Sequence, residues 1–165
     1  MLFGHSMGGW LALAGAADDA NVSCTIAFAP WNIGHFGALQ TEGKPITRRD
    51  FLVETKNYTD PEAGPLRGTT AQALADEAKA HPKDWDFVAF APALAGKSGL
   101  VITSKKDTDN SAEMVTPAFE EALRRAHAAR WTFRAFDDDH SFSAHRIEAA
   151  RSVIAWLDQN CGAAH

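Results

Sequence analysis

Residues 1–10, MLFGHSMGGW, set a serine between two glycines, with an apolar run before it and an Ala/Leu-rich run after it. Met1-Leu2-Phe3 has the character of a strand end, and Gly8 to about Ala17 that of a buried helix closing at Asp18-Asp19. A sharp turn between the two would lift the Ser6 hydroxyl clear of the sheet, at a helix N-terminus where backbone N–H groups lack partners. Side chains two residues on either side would collide in such a turn, and glycine at Gly4 and Gly8 removes them. The alternative, Ser6 as a simple helix cap, leaves both glycines without a reason.

The next apolar run, VSCTIAFAP at 22–30, is β-branched and aromatic with a proline stop, and predicts a second strand. Strand, turn, helix, strand is the order of a parallel α/β sheet. Residues 31–68 have glycines, prolines and little periodicity, and predict an irregular excursion; together with residues 69–98 they form a cap-like insertion over 31–98 of a single domain spanning 1–165. Within it, 69–81 predicts a surface helix and 84–94 a short helix or turn. Regular alternation then resumes. GLVITS at 99–104 predicts a strand, Thr116-Pro117 the start of a helix reaching about Ala129, and WTFRAF at 131–136 another strand. Ile147, Ala150, Ile154 and Leu157 predict the buried stripe of a last helix.

Bulk composition narrows the function. With 45% hydrophobic and 22% charged residues over 165 positions, the chain can bury a core. A net charge of -5, with scattered basic residues, argues against a nucleic-acid or anionic membrane partner. No apolar run is long enough to span a bilayer. The opening lacks the basic residues of a signal peptide, the first being Lys44, so the default compartment is cytoplasmic unless an upstream segment carries an export signal. Cys24 and Cys161 are too few for a disulfide framework; Cys24 is expected to pack as a small buried hydrophobe, and whether the two pair is open.

A serine hydroxyl needs a base to accept its proton, and the base needs a group to orient it. Two late strands run into suitable loops: GLVITS into Lys105-Lys106-Asp107, and WTFRAF into Asp137-Asp138-Asp139-His140. Asp107, favoured over Asp109 by its distance past the strand, is the candidate acid. Among seven histidines only His140 occupies a loop directly after a late strand; His5, next to the serine, is expected to point elsewhere. The acidic run with His145 could suggest a metal site, but a solvated acidic turn accounts for it, and neither metal nor cofactor is expected. Trp31, Phe36 and Phe90 could line an acyl pocket or be ordinary core.

The sequence resembles the α/β-hydrolase superfamily in GHSMGG, in strand-S-x-x-Asp107 and in DDDHSFSAHR, and its tail is similar to the prolyl-oligopeptidase and dienelactone-hydrolase-like branches. The resemblance implies a mainly parallel sheet flanked by helices. It implies a serine hydrolase cleaving a small ester or a peptide, with Ser6, Asp107 and His140 as its triad and the Met7 N–H in an oxyanion hole. It also implies strands and a second oxyanion donor upstream of Gly4. This chain is therefore expected to be the C-terminal half of a longer protein, with a sheet edge open to association. The alternatives are a non-catalytic remnant dependent on a partner, and an acyltransferase on the same scaffold.

Overall fold

The computed structural model describes residues 1–41, 51–108, 110 and 112–162. They form two compact units: Met1–Trp31 with Phe87–His165, and Asn32–Asp86. In the first unit four strands, β1 (Leu2–His5), β2 (Cys24–Phe28), β3 (Ser98–Ser104) and β4 (Trp131–Phe136), make one parallel sheet in the order β1-β2-β3-β4. β2 and β3 are central and buried throughout, which is why their sequences are unbroken apolar and Thr/Ser runs rather than alternating ones.

Helix α1 (Met7–Asp18) carries the chain from β1 to β2. Leu13 and Ala16 of α1 join Ala27, Val101, Phe87, Leu94, Val115, Phe119 and Leu123 in the core of one sheet face. The second unit follows β2 and holds helices α2 (Ile33–Thr41), α3 (Phe51–Thr59) and α4 (Ala71–Ala80). Where 31–68 predicted irregular chain, it thus carries two helices, each of nine residues. Their weak amphipathicity hid them. Gly37 is required there, since a Cβ would stand 2.2 Å from the Ala78 carbonyl oxygen where α2 meets α4.

A 3-10 turn at Phe87–Phe90 leads through the short α5 (Ala91–Leu94) into β3, and α6 (Ala112–Arg125) connects β3 to β4. The Thr116-Pro117 start is corrected: α6 begins a turn earlier and Pro117 lies inside it. Proline there removes one backbone hydrogen bond. Val115, Phe119 and Leu123, all buried at four-residue spacing, carry the helix through that loss.

Helix α7 (Arg146–Asn160) crosses the opposite sheet face, and its expected stripe is also corrected. Ala149 and Trp156 are buried against Ile26, Phe28, Leu100, Ile102 and Phe136, with Val153 and Leu157 beside them. Ile147 and Ile154 are 71% and 59% exposed. The sequence offers two apolar faces on α7, and Trp156, whose indole N–H donates to Thr132 at 3.1 Å, selects the other one. The exposed face borders an open apolar groove that runs to Phe3, itself 58% exposed on β1. No strand pairs with the outer edge of β1 among the described residues.

Because α7 returns across the sheet, its end lies over the start of β2. Cys161 there forms a disulfide with Cys24, Cα–Cα 5.9 Å. Cys24 is buried as expected but is not a free hydrophobe, its sulfur being bonded to that of Cys161. The bond closes a sequence separation of 137 residues, for which the chain-entropy limit is about 5 kcal/mol. Cys161→Ser, or reduction, is expected to lower the unfolding free energy by about 2–5 kcal/mol in urea titrations.

Candidate active site

Ser6 lies between β1 and α1 with φ 57° and ψ -122°, a strained conformation for a residue with a side chain. Its main chain is held from several sides. The Ser6 N–H donates to the Phe28 carbonyl at 2.8 Å, and the Ser6 carbonyl accepts from the N–H groups of Gly9, Trp10 and Trp31. Its side chain makes no capping hydrogen bond to α1, so the helix-cap reading fails. Met7 opens the helix, and its N–H has no acceptor within the helix.

The two glycines are not equivalent. A Cβ on Gly4 would come within 1.8 Å of the Gly8 carbonyl oxygen, so the turn cannot close around any side chain at position 4. A Cβ on Gly8 meets nothing within 4 Å among the described residues, which corrects the symmetric expectation. What the turn needs of Gly8 is its carbonyl, packed against Gly4, rather than its missing side chain. Gly4→Ala is expected to disrupt the turn, with a fall in melting temperature and loss of any reaction at Ser6. Gly8→Ala should shift stability by less than about 1 kcal/mol, as differential scanning calorimetry would show.

The loops after β3 and β4 lie side by side. Asp107, 3% exposed, accepts from the Nδ1 of His140 at 2.6 Å through one carboxylate oxygen and from the Asn110 N–H at 3.0 Å through the other. A carboxylate only accepts, so in this contact the His140 Nδ1 carries a proton and donates it. The alternative acid Asp109 lies outside the described residues, as does His165. His35 and His81 belong to the second unit, and His127 follows α6.

Two residues contribute more than their sequence suggested. The His5 ring lies 4.6 Å from that of His140, centroid to centroid, and its Nε2 is 2.8 Å from the His140 carbonyl oxygen. It points at the histidine loop. The acidic run is likewise not a uniformly solvated turn. Asp137 is exposed and pairs with Lys106 at 3.0 Å, and the exposed Asp139 receives the N–H groups of Ser141 and Ser143. Asp138, 5% exposed, receives the N–H groups of Asp139, Ala144 and His145 and the Nδ1–H of His145. No group of three or more His, Cys, Asp or Glu side chains is arranged to hold a metal among the described residues. Trp31 and Phe90 are, respectively, buried beside the turn and packed on Trp10, while Phe36 is buried in the second unit.

The sequence matches the Alpha/beta hydrolase family over residues 1–153. The chain belongs to that family. No curated protein sequence matches it significantly. Among solved structures, an esterase of Pyrococcus furiosus superimposes with a TM-score of 0.65 at 17% identity, over 97% of this chain and 53% of that one. An acylaminoacyl peptidase of Pyrococcus horikoshii gives 0.64 at 11%, over 96% and 23%. A monoacylglycerol lipase of Paleococcus ferrophilus gives 0.60 at 17%, over 94% and 66%. At such identities the likeness is one of fold, and this α/β hydrolase spans about half the length of the esterase.

Burial pushes the Asp138 carboxyl up, but the hydrogen bonds from Asp139, His145 and Ala144 outweigh it and bring its pKa from 3.8 to about 2. A group with a lower pKa folded than unfolded stabilises the fold above the unfolded value, and that contribution is lost as pH falls towards the folded one. Unfolding free energy is therefore expected to drop between pH 4 and 2, and Asp138→Asn should make that drop shallower in urea titrations across the same range.

Proposed function

We propose that this α/β hydrolase is a serine hydrolase cleaving an ester or amide bond, with Ser6 as nucleophile, His140 as base and Asp107 as the acid that orients it. The observation that carries the reading is the Asp107–His140 contact, in which a buried carboxylate accepts from the imidazole Nδ1 as an orienting acid would. The strained Ser6, with a hydroxyl not engaged in capping, supports it from the other loop.

In the reaction, Ser6 Oγ attacks the substrate carbonyl carbon as its proton passes to His140 Nε2. The imidazolium that forms is stabilised by the buried Asp107 carboxylate. The Met7 N–H, with the positive end of the α1 dipole behind it, binds the oxyanion. Collapse of the tetrahedral intermediate expels the alcohol or amine, which takes the proton from His140. A water deprotonated by the same nitrogen then releases the acid and restores Ser6. Every step uses groups of the protein itself.

A fluorophosphonate probe tests this directly. It should label the protein once, with Ser6→Ala abolishing the label and Asp107→Asn slowing it by roughly 10³–10⁴-fold. Labelling that persists in Ser6→Ala, located by peptide mass spectrometry, would refute the nucleophile assignment.

A further inference from the structure

We propose that His5 is a positioning residue for His140, a role that rests on the serine-hydrolase reading above. The His140 carbonyl can only accept, so the 2.8 Å contact requires the His5 Nε2 to carry a proton and donate it. His5 is bonded through the main chain to Ser6 and lies at the end of β1, where its register partner is Phe28. The hydrogen bond therefore ties the histidine loop to the residue beside the nucleophile, across a sequence separation of 135 residues.

Three attachments then fix His140: its Nδ1 on Asp107, its carbonyl on His5, and its loop on Asp138. Asp107 sits on the loop after β3 and Asp138 on the loop after β4 itself. The His5 bond reaches the last residue of β1, the strand that runs into Ser6. The ring also packs, tilted by 50°, on the His140 ring and edge-on to Phe142 at 6.4 Å, which holds the donor in place. Without the bond the loop keeps its fold, but its register with the Ser6 turn is loosened. Misplacement by about 1 Å can cost about 10²-fold in a reaction of this type.

Glutamine and leucine separate donation from packing, because the Gln amide nitrogen reaches about where Nε2 lies while leucine fills similar space without a donor. In the full chain His5→Leu should slow fluorophosphonate labelling of Ser6 by about tenfold or more, with melting temperature nearly unchanged. It should also broaden the far-downfield proton resonance of the His140–Asp107 hydrogen bond. His5→Gln should restore both. Equal behaviour of the leucine variant and the wild type in both measurements, or equal loss in the leucine and glutamine variants, overturns the proposal. If the wild-type chain takes no label at all, the serine-hydrolase reading fails while the proton resonance still decides whether His5 holds His140.

Discussion

The backbone of Ser6 is the constraint around which this protein is organised. A residue with a side chain at φ 57° and ψ -122° sits in sparsely populated territory and costs on the order of 1–3 kcal/mol unless its neighbours enforce it. Here they do. The carbonyl of Ser6 collects three N–H groups, two from α1 and one from Trp31, while its own N–H is taken by Phe28 at the end of β2. Gly9 extends the same packing, since a Cβ there would lie 3.0 Å from the Phe28 carbonyl oxygen. Helix α1 must therefore approach β2 closely, and the crossing of helix over strand and the geometry of the turn are one feature.

The other side of the site depends on two loops that are stitched together before any chemistry is asked of them. Lys105 and Lys106 donate their N–H groups to the carbonyls of Phe136 and Asp138, and the Ser104 hydroxyl also donates to the Asp138 carbonyl. Asp138 thus binds the acid loop through its main chain and the histidine loop through its side chain. A buried carboxylate with that many donors is costly to replace, because each donor left without an acceptor loses its hydrogen bond away from water. The Asp107–His140 pair, 2.6 Å apart, sits on the two loops that this network joins.

How far these features were legible in the sequence depends on their range. The strands, the turn at Ser6, and the placement of Asp107 and His140 on loops past strand ends are written in local runs: apolar strands, a glycine-flanked serine, and polar residues where each run stops. Features settled by long-range packing were not. Both faces of α7 are apolar enough to be buried, and only the three-dimensional site of Trp156 distinguishes them. Pro117 suggested a helix start because nothing local shows that Val115 is already buried. Cys24 and Cys161 meet only because α7 doubles back. His5 was discounted for standing next to Ser6, yet adjacency along the chain fixes neither the direction of a side chain nor the company it keeps. Of three consecutive aspartates one is buried, and a signal was present: Asp138 lies seven residues before His145, a spacing that lets a turn fold back on its own carboxylate.

The sheet separates what stabilises the protein from what organises its site. The disulfide joins the end of α7 to the first residue of β2, while the turn at Ser6 is bonded to the last, roughly 13 Å away along the strand. All three loops that carry Ser6, Asp107 and His140 leave the same end of their parallel strands, so the chain can gather them without any loop crossing the core. The covalent tie acts on the unfolded ensemble and on the opposite rim. A change there alters the stability of the fold rather than the bonds between these loops, whereas a change at Gly4 or Asp138 acts on the turn and the loops themselves. The two ends of one strand thus answer to different physical terms, chain entropy at Cys24 and hydrogen-bond direction at Phe28.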